Sequence, residues 1–367
     1  MQLYIHIPFC NKKCDYCDFY STIPNKKTNI QSFFPSLLRE IELASSIYSN
    51  RNITTIYIGG GTPSLLSINE IKTIVQKLKE SFNLNNIQEF TIECNPESIT
   101  KDFLVACREC GIDRISIGIQ SLNDDNLKAI NRAHNKNTAL ESLKLAKSYF
   151  NKVSCDIIVG LPYDTEEIIK SEISELVKYV NHFSCYELML NPKSILYYKF
   201  QKGIIKLQGD DVIANLFDIA ITELRNNGFE RYEVSNFFKT HKSIHNLGYW
   251  NREEYLGFGP SAHSYVKNEN VEMRFCNVES ISKYIETIQN ANKYPFEPIN
   301  ILSKLDIFEE KIFLGLRTSE GIDKTYFTDN QLLKFKDYII DKGNKIVLND
   351  KGFAVMDSIT IELFPEK

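Results

Sequence analysis

Three cysteines near the start of the chain have the spacing of an iron–sulfur cluster site. Cys10, Cys14 and Cys17 are separated by three and by two residues, and they directly follow an apolar stretch. Three thiolates at this spacing can wrap around one face of a cubane 4Fe–4S cluster and bind three of its irons, which leaves the fourth iron open. An open position on a metal is where a substrate or cofactor binds. The alternatives are a zinc site, with His6 as the only close fourth ligand, or three unrelated thiols.

Glycine and polar residues recur where the later predicted strands end. The residues singled out are Gly60, Gly61, Thr62, Glu93, Gln120, Arg132 and Asp156. Glycines let the backbone approach a ligand closely, and a carboxylate in an apolar strand needs a polar partner, because burial alone would raise its pKa. Together these residues predict a ligand site at one end of the strands. Taken singly, each is also explained by a tight βα turn or by ordinary surface polarity.

The elements that must position these side chains form an alternating pattern. Short apolar, β-branched runs predict six strands, at 3–7, 54–59, 89–94, 113–119, 153–160 and 183–190. Helical patterns lie between them, and runs buried on both faces with helices between them are typical of parallel βαβ units. We therefore expect the α/β class and a partial (β/α)6 barrel of the TIM type, with its chemistry at the carboxyl ends of the strands.

The pattern changes after about residue 275. Helical segments near 278–291, 303–316 and 330–341 lead into the stretch KIVLND–KGFAVMD, which predicts a small β-hairpin. The sequence thus predicts a barrel domain over residues 1–275 and a small C-terminal helical domain with a wing over residues 276–367.

Composition limits the possible partners and compartments. The chain has 43 Lys and Arg against 47 Asp and Glu, a net charge of −4, so we expect no nucleic-acid partner. Nine cysteines in a chain of this length favour reduced thiols and a metal site over disulfides. The N-terminal stretch lacks the features of a signal peptide, and no apolar run is long enough to span a membrane. These observations predict a cytoplasmic protein.

The cysteine motif C-x3-C-x2-C, with the aromatic Tyr16 before its last cysteine, resembles that of the radical S-adenosylmethionine (SAM) superfamily. The resemblance implies that the open iron binds the amino and carboxylate groups of SAM, and that an electron from the cluster cleaves it to a 5′-deoxyadenosyl radical. It implies that the Gly60-Gly61-Thr62 turn contacts the SAM amino group and that Glu93 hydrogen-bonds the cofactor. Further implied roles are a place near the methionine moiety for Tyr4 and contacts to a second SAM molecule for Gln120, Arg132 and Asp156. For Tyr4, packing in the core is the alternative.

Within the superfamily, nearly the whole chain resembles the branch of coproporphyrinogen dehydrogenases and heme chaperones. The stretch from His245 to Trp250 matches the H-N-x-x-Y-W motif of this branch. This match implies that His245 contacts heme, with His263 as a lesser candidate, because imidazole is a common axial ligand of heme iron. Without the resemblance, a histidine beside a tryptophan is more often part of a packed turn.

Two differences between this sequence and the dehydrogenases indicate a closer resemblance to the heme chaperone (HemW-type) family. Phe19 occupies the position where the dehydrogenases have a further cysteine, and nine residues precede Cys10, where the dehydrogenases have a long extension. The resemblance thus implies a protein that carries a 4Fe–4S cluster and SAM, binds heme and transfers it to an unidentified acceptor protein, meeting a membrane only through that acceptor. The rival interpretations are oxygen-independent oxidation of coproporphyrinogen III and a different radical SAM reaction.

Overall fold

Six parallel strands and the helices between them form the central part of the protein. The structure is a computed structural model, and it describes residues 1–268, 271–291, 293–297 and 299–364. The strands are β1 (Gln2–Ile7), β2 (Thr55–Gly60), β3 (Glu89–Cys94), β4 (Arg114–Gln120), β5 (Lys152–Val159) and β6 (His182–Glu187). The helices are α1 (Ile30–Tyr48), α2 (Ile68–Ser81), α3 (Lys101–Glu109), α4 (Asp124–Ala129), α5 (Lys136–Tyr149) and α6 (Glu166–Leu176).

The six strands pair in chain order, each parallel to the next. Most of their residues are buried, as expected for parallel strands covered on both faces. The predicted strands and the alternation with helices are confirmed. Because all six strands point the same way, their carboxyl ends meet at one face, and the side chains singled out from the sequence end up there.

The sheet continues beyond the six strands on both sides. The additional elements are α7 (Ile195–Gln201), α8 (Asp210–Asn226), β7 (Glu230–Arg231), β8 (Asn236–Phe238), α9 (Ile244–Trp250), β9 (Tyr255–Phe258), β10 (His263–Asn268), β11 (Val271–Cys276), α10 (Ile281–Ala291) and β12 (Asn300–Ile301). β8 pairs antiparallel with β6, and β9 lies parallel to β1 on the opposite edge. β10, β11 and β12 follow β9 as antiparallel strands. β1, which leads into the three cysteines, therefore lies in the interior of a 12-stranded sheet.

The C-terminal part has a hydrophobic core of its own. It contains α11 (Lys304–Leu316), β13 (Ile322–Asp323), α12 (Asp329–Lys334), β14 (Ile339–Asp341), β15 (Lys345–Leu348), α13 (Asp350–Ala354) and α14 (Met356–Leu363). Its core residues start at Ile312, whereas Tyr284 and Ile288 of α10 belong to the core of the large sheet. The division into two domains at 275/276 stays a prediction. Residues 365–367 of the predicted C-terminal domain lie outside the described residues.

The predicted C-terminal hairpin was displaced by one element. β14 and β15 pair in a three-stranded antiparallel sheet with β13. The first strand of the observed hairpin is therefore β14, although the sequence predicts a helix over these residues. The stretch KGFAVMD, predicted as a strand, is helical instead. Asn349 explains this, because its side chain accepts a hydrogen bond from the Gly352 N–H and so caps α13. Gly343, with φ of +87°, makes the turn between the two strands.

A buried carboxylate joins α1 to the turn that follows β9. Glu40 is fully buried and accepts hydrogen bonds from Gly259 N–H (2.7 Å), Asn277 Nδ2 (2.6 Å) and the Tyr284 hydroxyl. These three donors come from the β9–β10 turn, the segment after β11, and α10. One side chain thus connects the first helix to the far edge of the sheet.

Replacing Glu40 with alanine is expected to lower the free energy of unfolding by about 3 kcal/mol or more. The substitution leaves three buried donors without an acceptor, and each unsatisfied group costs about 1–3 kcal/mol. Chemical denaturation measures the loss. Glu42→Ala is the matched control, because Glu42 lies on the exposed face of the same helix and pairs with Arg39, and such surface pairs contribute about 0–1 kcal/mol. Equal losses in the two variants would contradict the assignment.

Among the described helices, none combines the length and apolar character needed to cross a membrane.

Candidate functional site

The three cysteines of the motif line one cavity at the carboxyl ends of the strands. They lie in the loop that follows β1, and all three thiols are partly exposed. Two of the sulfurs receive hydrogen bonds from outside the loop. Thr62 Oγ1 donates to Cys10 Sγ (3.4 Å), and Arg132 Nη1 donates to Cys14 Sγ (3.3 Å). Donors to ligand sulfurs are one of the means by which proteins tune an iron–sulfur cluster.

Among the described residues, the three thiols do not form a site for a single metal ion. Within the described part of the chain, no three His, Cys, Asp or Glu side chains are close enough together to hold a single metal ion. Three thiolates that each bind a different iron of a cubane need to share a cavity but not a single ion, and the three cysteines line one cavity.

All predicted site residues except Tyr4 and His245 line this same cavity, which we call the cluster cavity. They are Cys10, Cys14, Tyr16, Cys17, Gly60, Gly61, Thr62, Glu93, Gln120, Arg132 and Asp156. The sequence placed them on five different strands or in the segments that follow those strands, and the parallel sheet brings them together.

Two groups of the neighbouring strand β2 bind the carboxylate of Glu93. Its carboxylate accepts hydrogen bonds from the Tyr57 hydroxyl (2.7 Å) and from Gly60 N–H (3.1 Å). Burial raises the pKa of Glu93 to about 7, against the opposing effect of the Tyr57 hydrogen bond. A carboxylate in this position can pair with a cationic group, and a cation in the cavity would in turn favour its ionised form.

The glycine turn after β2 packs against the cysteine loop with no room for side chains. A Cβ atom at Gly61 would lie 2.6 Å from the carbonyl oxygen of Phe9, next to the first cysteine. Gly60 has φ of +113°, and a Cβ atom there would lie 2.7 Å from the ring of His6. Larger residues at these positions would push the turn away from the cysteines. The turn therefore presents bare backbone to the cluster cavity.

Arg132 spans the cavity from the loop after α4. Its Nη2 donates to Gly118 O (2.6 Å) and to Asn95 Oδ1 (3.0 Å), while Nη1 reaches Cys14 as described above. The Nε atom is buried and has no hydrogen-bond partner among the described residues. An unpaired buried donor is costly, so this nitrogen marks a place where a ligand with an acceptor atom would be stabilised.

Asp156 and Gln120 complete the far wall. Ser116 Oγ donates to Asp156 Oδ1 (3.4 Å), and burial raises the pKa of Asp156. Gln120 has φ of +67°, a left-handed conformation that is uncommon for residues other than glycine, at the position where β4 ends. Such conformations concentrate at functional sites.

Three further residues belong to the site but were not predicted from the sequence: Asn95, Ser116 and Tyr57. Asn95 accepts from Arg132 and its Nδ2 donates to Thr62 Oγ1 (3.3 Å). Ser116 was recoverable, because it lies two and four residues before Gly118 and Gln120 on one face of β4. Tyr57, one β2 position within an apolar run, gave no signal, since an aromatic residue is common in a buried strand.

Tyr4 lies beside the cluster cavity rather than in its wall. Its hydroxyl is within hydrogen-bond distance of His6 Nδ1 (3.0 Å), and its ring stacks on Tyr57 with centroids 6.2 Å apart. Through Tyr57 it supports Glu93. A direct contact between Tyr4 and a cofactor stays a prediction.

His245 lies at the opposite end of the strands from the cysteines. Its Nδ1 is 2.7 Å from the hydroxyl of Thr55, the first residue of β2, and its N–H donates to Glu89, the first residue of β3. Gln2, the first residue of β1, donates to its carbonyl oxygen (3.1 Å). The amino ends of barrel strands are generally the stabilising face. The helix α9 is thus held against that face.

Both ring nitrogens of His245 are occupied by protein partners. Beyond the Thr55 contact, Nε2 is 2.9 Å from the Tyr249 hydroxyl. The side chain is buried, and burial lowers the pKa of His245 to about 3, with Arg114 adding to the shift. The predicted heme contact of His245 stays a prediction, and it would require breaking one of these two hydrogen bonds. The arrangement accounts for the residue as part of the packing of α9.

Two further cavities adjoin the cluster cavity. One, of about 370 Å³, runs through the barrel interior from Gly60 and Glu93 to His245. The other, of about 590 Å³, lies over β1, β9, β10 and β11, and its aromatic lining residues are Tyr4, Phe19, Tyr20, Tyr249, Trp250, Tyr255 and Tyr265. We call it the aromatic cavity. Phe19 lines all three cavities and is 65% exposed.

Comparison with known proteins finds relatives over nearly the whole chain. The model of the radical SAM superfamily matches residues 4–176. Heme chaperone HemW of Buchnera aphidicola subsp. Schizaphis graminum is 35% identical over 96% of this chain and 91% of its own length. Heme chaperone HemW of Bacillus subtilis is 32% identical over 89% of this chain and 86% of its own length.

A solved structure has the same fold. Coproporphyrinogen III oxidase (HemN) from Escherichia coli, described as a radical SAM enzyme, superposes with a TM-score of 0.85 and covers 99% of this chain and 89% of its own. The two sequences are 20% identical, so this likeness shows the fold alone.

Proposed function

This chain belongs to the heme chaperone HemW family of the radical SAM superfamily, and from that membership we propose that it binds heme and transfers it to an acceptor protein. The likeness to the HemW relatives extends over nearly the whole chain, from the cysteine motif to the C-terminal part. It therefore includes the aromatic cavity as well as the cluster cavity.

The residues of the cluster cavity fit a 4Fe–4S cluster and SAM. Cys10, Cys14 and Cys17 would bind three irons of the cluster. Glu93 offers a half-buried carboxylate for the cationic part of SAM, and the unpaired Nε of Arg132 offers a donor for an anionic or carbonyl oxygen. When bound, the cluster and SAM would supply one-electron redox chemistry in the cluster cavity.

The observation that carries the proposal is the exposed Phe19. This side chain stands where the cluster cavity, the barrel interior and the aromatic cavity meet, in the position where coproporphyrinogen dehydrogenases have a cysteine. A hydrophobic residue exposed at the junction suits the docking and release of a flat apolar cargo. It cannot serve as an additional thiol beside the cluster. This favours binding and transfer over turnover of a porphyrinogen.

The partners and compartment follow from the same premise. We propose that the acceptor is a protein that meets this chain at the cavity mouth, with any membrane contact made only through that acceptor. A cytoplasmic location is supported by the nine cysteines, which are all free in the structure, because thiols stay reduced in that compartment.

Titration of the purified full chain with heme tests the proposal. We expect saturable binding at micromolar heme, with a shift of the Soret absorption band relative to free heme. Absence of a shift at that concentration would contradict heme binding. The titration should be repeated with the reconstituted cluster and SAM present, to measure whether either changes the heme affinity.

The rival function has a separate test. The chain with a reconstituted cluster is incubated anaerobically with a reductant, SAM and coproporphyrinogen III, and the mixture is analysed for protoporphyrinogen. We expect none above the level of a control without protein. Product formation would establish the dehydrogenase activity in place of the chaperone function.

A further inference from the structure

We propose that the heme cargo lies in the aromatic cavity and that His263, at the start of β10, is its axial ligand. This inference deepens the proposed function and rests on it. It assigns the iron to a histidine other than His245 of the H-N-x-x-Y-W motif, and it places the cargo next to the cluster rather than at the far end of the barrel.

The aromatic cavity has the size and lining of a site for a flat apolar ligand. Its volume of about 590 Å³ falls within the range of about 300–1,000 Å³ usual for small-molecule sites. Tyr249 and Tyr255 pack edge to face with centroids 4.7 Å apart, and Tyr255 contacts Tyr265 in turn. These rings form one continuous wall. Leu314 of α11 also lines the cavity.

His263 is the histidine of this cavity that is free to bind a metal. The other histidine in the wall, His6, uses Nδ1 with Tyr4 and Nε2 with the carbonyl oxygen of Tyr20 (2.8 Å). The imidazole of His263 is exposed and makes no hydrogen bond to another described residue. Heme iron commonly takes a neutral imidazole nitrogen as its axial ligand.

The charge state of His263 suits ligation. The surrounding protein removes part of the hydration of the exposed imidazole, which lowers its pKa, and the nearby guanidinium of Arg274 lowers it further. Both effects favour the neutral ring, which is the form whose nitrogen lone pair can bind iron. His245, by comparison, has both nitrogens engaged at the other end of the strands.

The turn that carries His263 is held rigidly. Gly259 N–H donates to the buried Glu40, and Asn277 Nδ2 donates to both Glu40 and the Gly259 carbonyl oxygen. Gly259 has φ of +98°, and a Cβ atom there would lie 2.4 Å from His6 O. Ser261 adopts a positive φ of +62° in the same turn. A ligand side chain on an anchored turn is presented in one place, which reduces the entropy lost on binding.

Two arginines in the wall complement the carboxylates of heme. Arg252 and Arg274 both line the cavity and both contact the Tyr265 ring, with guanidinium carbons 5.3 Å and 4.4 Å from its centroid. Their acidic partners, Glu272 and Glu310, are not part of the lining. The cavity thus presents the cationic side of these ion pairs to a ligand.

The acidic side chain in the wall is Asp18, which accepts a hydrogen bond from Asn191 Nδ2 (3.2 Å). It lies in the cysteine loop, whereas the arginines lie on the β9–β11 side. An elongated ligand with an apolar body and its carboxylates at one end therefore has one favoured direction in the cavity, with the carboxylates toward Arg252 and Arg274.

Heme titration of matched histidine variants tests the inference. For His263→Ala in the full chain we expect the heme dissociation constant to rise about tenfold or more, since even removing an outer-sphere partner of a metal ligand weakens metal binding about 10–100-fold. The spectrum should lose the features of a nitrogen-ligated iron, and added imidazole should restore them. His241→Ala is the control, because His241 is exposed on a loop outside the cavity.

A second pair of variants tests the cavity itself. Leu314→Trp adds bulk inside the aromatic cavity and should weaken heme binding while the iron keeps its nitrogen ligand. Leu333→Trp adds the same bulk at a position on α12 that is 69% exposed and lies outside the cavity, and it should bind heme as wild type does.

The outcomes separate the inference from the function on which it rests. If wild type shows no Soret shift, both the chaperone function and this inference are wrong. If wild type binds heme through a nitrogen ligand and His263→Ala retains both its affinity and its spectrum, the inference is wrong and the proposed function stands.

Discussion

Replacing Cys14 with serine is expected to leave the protein folded but without its iron–sulfur cluster. A serine hydroxyl is a poor ligand for iron in a cubane, and two remaining thiolates hold only two of the three iron positions. Arg132 Nη1, which donates to the Cys14 sulfur, would also lose a charge-assisted partner in the assembled site. After anaerobic reconstitution, the variant should contain neither iron nor inorganic sulfide above background and should lack the brown colour of wild type.

Cys276→Ser is the matched control for this experiment. Cys276 is a partly exposed thiol like Cys14, but it lies at the end of β11 and outside the cluster cavity. We expect it to bind as much iron and sulfide as wild type. Because Cys14 is partly exposed, its replacement should change the free energy of unfolding by no more than about 0.5 kcal/mol, a limit typical of surface substitutions. A Cys14→Ser protein that is fully folded and still holds a complete cluster would overturn the ligand assignment.

The central sheet was predictable because its sequence signals are local. Strands that are buried on both faces are continuous apolar runs, and helices between them have clear ends. α2 begins at Ile68 because Ser67 and Glu70 form a capping box there. Most of the site followed as well, since parallel strands all present their last residues at one face.

The strands β9–β12 were not predicted, because their pairing is long-range. β9 lies against β1, which is about 250 residues earlier in the chain, and β10–β12 extend the sheet from it. These edge strands are short, and two of them contain charged residues such as Lys267 and Arg274. Without a partner in view, such segments give no sequence signal for membership of the central sheet.

The position of His245 in the fold could not be predicted from the sequence, for a different reason. The motif could be recognised, but the end of the barrel that it occupies depends on contacts with Gln2, Thr55 and Glu89. Each of these polar residues stands at or next to the start of a strand, where it resembles ordinary surface polarity. Only their meeting around α9 identifies them as a binding surface for that helix.

Removing the carboxylate of Glu93 is expected to weaken SAM binding and to abolish its pH dependence. Burial raises the pKa of Glu93 to about 7. The ionised form attracts a cationic ligand and the protonated form does not, so the affinity of wild type for SAM should fall as the pH drops below about 7. With one proton involved, the loss approaches about tenfold per pH unit. Equilibrium binding of SAM measured from about pH 5.5 to about pH 8.5, a range centred on the pKa of Glu93, determines this loss of affinity.

The ionisation of Glu93 has opposite effects on two quantities: it strengthens SAM binding, and it lowers the folding stability of the ligand-free protein. The folded-state pKa of Glu93 lies above its ordinary value of 4.5, so the native state without ligand holds the proton more tightly than the unfolded chain does. Ionisation of Glu93 therefore lowers the stability of the ligand-free protein as the pH rises through about 4.5 to 7. A cationic ligand offsets that cost, which is why SAM should stabilise the protein more at pH 8 than at pH 6.

The variant Glu93→Gln tests whether the pH dependence of SAM binding comes from Glu93 or from other ionisable groups of the protein. At pH 8 we expect SAM affinity about tenfold to a hundredfold below wild type, corresponding to about 1.5–3 kcal/mol for a charged hydrogen bond, and a nearly flat pH profile. Glu172→Gln is the matched control, because burial likewise raises the pKa of Glu172 to about 7, but its carboxylate receives hydrogen bonds from Ser121 and Leu122 outside the cluster cavity. If Glu172→Gln flattens the profile and Glu93→Gln does not, the proton that controls SAM binding is not on Glu93.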